Sequence, residues 1–199
     1  MFPFPTMVFE PRIHSAPLAA ASRLVLWISL ALYVASVPAA NWLIRNVGTV
    51  VLPDGTHLAP VGFGLLAPSG VYAAGVAFVA RDVVQRVAGR RWALGSIVLG
   101  TLLSALVSPQ LALASGSAFL FSELADFAVY TPLQERHFVL AVFLSGVVGS
   151  VIDSLLFLSI AHIPMSALAG LLLGKLWVQL GATPVAAWLR DRIAPVPAR

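Results

Sequence analysis

Long apolar runs, with a few ionisable residues set deep inside them, constrain this chain most. Six follow one another, at 24–44, 61–87, 93–107, 111–130, 138–161 and 165–189. A bilayer span takes about 20 apolar residues, and all but the third are near that length or beyond it. Apolar residues make up 59% of the 199, and charged residues 10%. Soluble domains average about 45–50% and 25%, so a water-soluble globule is excluded. What remains for loops leaves no room for a sizeable extramembrane catalytic domain. No barrel-type alternation recurs, so the fold class is an all-α integral membrane protein, a six-transmembrane-helix bundle.

The runs set the organisation. Residues 1–23 are Pro-rich and polar and read as a cytoplasmic N-terminal tail, 24–190 as the six-helix membrane domain, and 191–199 as a cytoplasmic C-terminal tail. Ser36-Val-Pro-Ala-Ala40 resembles a signal-peptide cleavage point, but the run continues through Trp42, Leu43 and Ile44, which favours an uncleaved first helix. Pro53-Asp54-Gly55 is a turn signal inside a 46–60 loop with room for a small hairpin. Gly62, Gly64, Pro68 and Gly70 break the second run, so its helix is expected from about Ser69 and to end at Gly89-Arg-Arg91. Ser108-Pro109 marks a stop, Thr131–His137 a polar loop, and His162-Ile-Pro164 a turn.

Net charge is +4, from eleven Arg and a single Lys against eight acidic residues. In a soluble protein that balance would suggest nucleic acid; here topology accounts for it, and no nucleic-acid partner is expected. With the N-terminus inside, Arg12, Arg23, Arg86, Arg90, Arg91, Arg136, Arg190, Arg192 and Arg199 fall in the cytoplasm and only Arg45 outside. This bias follows the positive-inside rule and fits an even number of spans with both termini cytoplasmic. The absence of cysteine excludes disulfides, thiolate nucleophiles and thiolate metal sites. His14, His57, His137 and His162 share no ligand spacing, so neither metal nor cofactor is expected.

Ionisable groups at membrane depth cost a few kcal/mol each on insertion scales and face a bundle interior, a partner or water. The second helix carries Arg81, Asp82 and Gln85, the fourth Glu123 and Asp126, the fifth Asp153, and the sixth Lys175 and Gln179; the first adds Asn41. Asp82 with Gln85, Glu123 with Asp126, and Lys175 with Gln179 each share a helix face. Arg81, Asp82 and Asp126 could equally snorkel to the cytoplasmic interface as structural ion pairs. Glu123, Asp153 and Lys175 lie deeper, and a buried ammonium needs a carboxylate, either Asp153 or Glu123. Four acidic groups against one or two cations leave carboxylate capacity for a ligand rich in N–H donors, such as a guanine-like edge. Phe78, Phe119, Phe121, Phe127, Tyr130, Phe157 and Trp177 are candidates to stack on it, although most such aromatics pack or face lipid. An enzyme is disfavoured, because no Ser/His pair, paired-aspartate motif or zinc site is present. A channel is disfavoured because nothing resembles a selectivity filter.

Ala40-Asn-Trp-Leu43, Phe78-Val-Ala-Arg-Asp-Val-Val-Gln-Arg-Val-Ala-Gly89, Phe121-Ser-Glu-Leu-Ala-Asp-Phe-Ala-Val-Tyr130 and Gly149-Ser-Val-Ile-Asp-Ser-Leu-Leu-Phe157, in this order and with a lysine after them, resemble the queuosine precursor transporter family, also called the vitamin uptake transporter family. The resemblance runs from about 24 to 189. It implies uptake of 7-cyano- or 7-aminomethyl-7-deazaguanine across the bacterial inner membrane, with Asp82, Glu123, Asp126, Asp153, Lys175 and Asn41 at the polar motif positions. Gln85 stands where the family usually has an acidic residue. Gln85 and Gln179 complete the candidate binding set. The family also resembles the substrate-binding subunits of energy-coupling-factor transporters, which dock an ATPase module through small residues on the first helix. Ala31, Ala35 and Ala39 form such a stripe, which in lipid is more often ordinary close packing. A binding subunit of that kind, with a different vitamin as substrate, is the alternative reading.

Overall fold

A computed structural model describes residues 20–53, 55–107, 112–160, 162 and 164–193. Most of the expected N-terminal tail, the Ser108-Pro109 stop and the end of the C-terminal tail lie outside these residues. Within them the chain forms α1 (Ala20–Asn46), a small sheet of β1 (Val50–Val51), β2 (His57–Gly62) and β3 (Leu65–Pro68), then α2 (Val71–Ala88), α3 (Arg90–Val107), α4 (Ala112–Leu133), α5 (Phe138–Ile160) and α6 (Leu168–Arg190). One 3-10 turn, Met165–Ala167, leads into α6.

Two boundaries differ from the sequence reading. The segment expected as a loop and broken lead-in is an antiparallel meander in the order β1-β2-β3. A two-residue turn, Phe63-Gly64, joins β2 to β3 with φ of 53° and 74°. Positive φ at both positions matches the twist of the flanking strands; glycine takes it freely, whereas phenylalanine is strained there. The second difference is α4, which continues through Thr131 and Pro132 where a polar loop was expected. Proline at the next-to-last position of a helix removes one backbone hydrogen bond without blocking the turn that follows, and Thr131 is held by Gln85.

Gly89 alone links α2 to α3. Its φ of 88° lets its N–H return to the Gln85 carbonyl at 2.9 Å, closing the helix and reversing the chain. Leu26, Val87, Tyr130, Phe138, Leu189 and Ile193 share one apolar cluster, which gathers the start of α1 and α5 and the end of α2, α4 and α6 at one end of the bundle. Val61, Ala67, Val71, Leu158 and Leu171 form another, where the sheet sits against the start of α2 and α6 and the end of α5. Successive helices around these clusters therefore run in opposite directions. The sheet is fixed to α6 by the Trp177 indole N–H, which donates to the Val61 carbonyl at 2.7 Å. Gly170 lets β3 pass, since a Cβ there would stand 2.1 Å from the Leu66 carbonyl oxygen.

Among the described residues three helices are long and apolar enough to cross a membrane on their own: Ser22–Asn46, Phe138–Ile160 and Met165–Arg190. The polar residues of α2 and α4, Arg81, Asp82, Gln85 and Arg86 on one and Glu123 and Asp126 on the other, lower their hydropathy. These side chains point inward. Trp27, Leu32, Leu99, Leu102, Phe121 and Trp188 remain on the outside of the bundle, as a lipid-facing surface requires.

Candidate functional site

Arg81 sits at the centre of the bundle and gathers three carboxylates. Its guanidinium meets Asp82 at 3.0 Å, Glu123 at 3.1 Å, and Asp126. All four side chains are fully buried. Of the two placements left open by the sequence for Arg81, Asp82 and Asp126, the structure takes the bundle interior. The Asp82 and Glu123 pairs are reached through different nitrogens, so the planar fork spreads over α2 and α4 and holds them together. Arg81 Nη1 also donates to Gln85 Oε1 at 3.3 Å, and Gln85 Nε2 donates to Thr131 at 2.9 Å. Ser145 on α5 donates to Asp82 at 3.0 Å. The Tyr130 and Phe127 rings lie 5.7 and 5.9 Å from the guanidinium carbon and screen it from lipid.

A separate ion pair joins α5 to α6. Lys175 contacts Asp153 and donates to Ser154 at 2.9 Å. Asp153 is therefore the partner that Lys175 required, and Glu123 is held by Arg81 instead. The lysine is sealed, while 21% of the Asp153 side chain stays exposed.

Both arrangements depend on the small residues of α5. A Cβ on Gly149 would stand 2.8 Å from the Phe78 ring and 3.1 Å from Asp126 Cβ, so glycine is what lets α5 approach α2 and α4. A Cβ on Gly146 would stand 2.3 Å from Gln179 Cδ, so the α6 amide lies flat on the α5 backbone. On that side a cavity of about 460 Å³ opens between α5, α6 and the β2–β3 turn. Phe63, Val147, Val151, Leu172 and Leu176 supply its apolar walls, and Ser150 and Gln179 also line it with their side-chain polar atoms buried.

Thus the structure brings Asp82, Gln85, Glu123 and Asp126 to one point, Asp153 and Lys175 to a second, and Gln179 to the cavity. On α1, the Asn41 amide donates to the Val37 carbonyl at 3.0 Å. Of the stacking candidates, Phe78 and Tyr130 are buried, Trp177 is committed to Val61, and Phe121 faces outward. The organising role of Arg81, and the contributions of Ser145, Ser150 and Ser154, went unread in the sequence. A signal existed in the spacing of Ser145, Ser150 and Ser154 among glycines on an otherwise apolar helix. The Ser145 and Ser154 hydroxyls satisfy neighbours rather than fill space, pairing with Asp82 and Lys175.

Several buried polar atoms find no hydrogen-bond partner among the described residues: Glu123 Oε1, the Tyr33 and Tyr130 hydroxyls, Ser150 Oγ, and both ends of the Gln179 amide. Such groups are rare in folded proteins and cost about 1–3 kcal/mol each. Among the described residues no group of three or more His, Asp or Glu is arranged to hold a metal ion.

Apolar helices packed around a charged interior define the class as a helix-bundle integral membrane protein. Residues 102–189, the end of α3 with α4, α5 and nearly all of α6, match the family model described as "Putative vitamin uptake transporter". The vitamin uptake transporter resemblance read from the sequence is borne out over that stretch. No curated protein and no solved structure matches the chain.

Proposed function

We propose that this protein is a six-span inner-membrane transporter that takes up a queuosine precursor, 7-cyano- or 7-aminomethyl-7-deazaguanine, with both termini cytoplasmic. The observation that carries the reading is Glu123. Arg81 fixes its carboxylate through Oε2, while Oε1 remains buried with no partner among the described residues. A fixed acceptor in a dry site can take one N–H of a deazaguanine's ring-and-amine edge, and it discriminates against bases that lack that donor. Asp82 and Asp126 add acceptor capacity around the same cation. The family match supports transport, and the clustering of residues from α1 and the end of α6 at one end of the bundle supports an even span count. Arg86, Arg90, Arg136 and Arg190 lie in or beside the ends that would face the cytoplasm.

The test is uptake of labelled 7-cyano-7-deazaguanine by cells unable to make it, with and without the transporter, together with reporter fusions at Gly55 and at the C-terminus. Transporter-dependent uptake, with a periplasmic reporter at Gly55 and a cytoplasmic one at the C-terminus, is expected. No uptake, or a periplasmic C-terminus, overturns the reading.

The second reading is a substrate-binding subunit that requires an ATPase module. One observation favours it: Ala31, Ala35 and Ala39 lie on the exposed face of α1, away from the bundle interior. Uptake by the purified protein alone in vesicles separates the two, because a binding subunit would move nothing without its module.

A further inference from the structure

A second pocket, of about 230 Å³, lies where α5 begins and α6 ends, and none of its lining residues belongs to the Arg81 cluster or the Lys175 pair. One side of it is basic: Arg136, His137 and Arg190 line it, and all three are exposed. No acidic residue lines it. Glu135 precedes Arg136 in the chain without reaching the lining, and Asp191 is occupied, its two oxygens accepting from Arg190 Nε and Nη2. That exposed pair is worth little and yields to a better-placed anion. Behind the pocket Arg86, 6% exposed, stacks on the Phe138 ring at 4.5 Å and adds a further positive charge.

The other walls are Phe138, Val139 and Leu140, the first turn of α5. The first backbone hydrogen bond of that helix runs from the Ala141 N–H to the His137 carbonyl at 2.8 Å, so the N–H groups of these three residues have no carbonyl partner among the described residues. Unpaired N–H groups at a helix start favour negative charge, and here they share a pocket with three basic side chains. Leu140 is 46% exposed and Leu144, one turn further along α5, 38%, so an apolar strip leads from the basic pocket toward the hydrocarbon. Trp188, 54% exposed and two residues before Arg190, marks the depth of the membrane interface, where amphipathic rings sit. The ligand that fits is anionic at one end and apolar at the other.

We propose that this pocket binds the phosphodiester headgroup of an anionic phospholipid from the cytoplasmic leaflet, with an acyl chain lying along Leu140 and Leu144. Arg136 and Arg190 meet the phosphate oxygens, and His137 and the free N–H groups of α5 complete the cradle. A zwitterionic lipid fits less well, because no carboxylate lines the pocket to take its ammonium group. The leaflet rests on the uptake topology proposed above, with both termini cytoplasmic; the headgroup chemistry does not.

The test is a titration of the full chain, delipidated in detergent, with short-chain phosphatidylglycerol, with phosphatidylcholine of the same chain length and with inorganic phosphate, bound lipid being counted by native mass spectrometry. Phosphatidylglycerol is expected to bind about tenfold or more tightly than phosphatidylcholine, and inorganic phosphate at equal concentration to leave it in place. Arg136→Gln combined with Arg190→Gln is expected to weaken phosphatidylglycerol about 30-fold, the factor that two cations contribute beside an anionic headgroup. Arg90→Gln combined with Arg91→Gln removes the same charge from the same end of the bundle outside the pocket, and is expected to change binding less than about twofold. All four arginines are exposed, so both double variants are expected to fold. Equal binding of the two lipids, or equal weakening by the two double variants, overturns the pocket as a headgroup site. Displacement of the lipid by inorganic phosphate at equal concentration overturns it in favour of a free-phosphate site. No transported molecule enters the titration, so those results leave the uptake reading standing, whereas lipid binding as expected with no uptake overturns the uptake reading alone. A periplasmic C-terminus overturns the uptake topology and the leaflet together.

Discussion

Two buried ionic groups among the described residues are built on opposite plans. Around Arg81 three carboxylates share one cation, all fully buried, and the contacts come from α2, α4 and α5. Between α5 and α6 one lysine meets one carboxylate, and the carboxylate keeps a window to the outside. Removing one partner of a sealed ion group leaves charge that nothing can solvate, whereas a partly open pair can recruit water. The Arg81 cluster is therefore the more costly of the two to disrupt, and the Lys175 pair the less costly.

Arg81→Met probes this contrast with the largest effect. It strips the only cation from three buried carboxylates and is expected to cost about 3–5 kcal/mol, enough to prevent recovery of folded protein. Arg81→Lys is expected to rescue poorly, because an ammonium cannot span Asp82, Glu123 and Asp126 as the planar fork does. Size-exclusion profiles and thermal melts in detergent check both. A stable Arg81→Met protein would show that the cluster is not the more costly of the two to disrupt.

Glu123→Gln keeps size and changes one acceptor into a donor. Affinity for 7-cyano-7-deazaguanine is expected to drop roughly 10- to 150-fold in a binding titration on folded variant. If affinity stays within about twofold of the parent, Glu123 is not the recognition group and Asp153 takes its place as the residue to test.

For the open pair, Lys175→Met is expected to cost about 1–2 kcal/mol, less than Arg81→Met because Asp153 reaches the exterior. Adding Asp153→Asn is expected to recover part of that loss, as the double variant no longer leaves a lone carboxylate. Melting temperatures of the two singles and the double give the coupling directly; additive losses would mean that the pair does not act as a unit.

Ser145→Ala is the mildest change. It removes one hydrogen bond to Asp82 and is expected to lower stability by about 1 kcal/mol with uptake retained. A loss as large as that of Arg81→Met would show that α5, not Arg81, sets the geometry of the cluster.

Much of the helix plan was legible in the chain, for identifiable reasons. Gly89 and Phe138 stand at sharp changes of polarity or backbone freedom, so the end of α2 and the start of α5 could be read locally. The meander at 50–68 was harder to read. Its strands are short, hold two prolines and lean on α6 for stability, so no periodic signal announces them. Pro132 misled in the other direction, because a breaker in the last turn of a helix breaks little.

The same division holds for the site. That Glu123, Asp153 and Lys175 lie deep in their runs and need partners followed from sequence alone, because an ion in hydrocarbon is costly wherever it sits, whereas Arg81, Asp82 and Asp126 were left open between the interface and the interior. Which ion meets which was a tertiary decision. Lys175 had two carboxylates open to it, and the choice of Asp153 follows from α5 lying against α6 while α4 turns Glu123 toward α2. The cavity was equally beyond reach of the sequence. Gln179 and Ser150 are 29 positions apart, and only the packing of α6 on α5, close at Gly146, brings both to the lining of one space. Burial is a property of a residue in its run and can be read along the chain, whereas pairing and emptiness are properties of helix faces in contact and exist only once the bundle has formed.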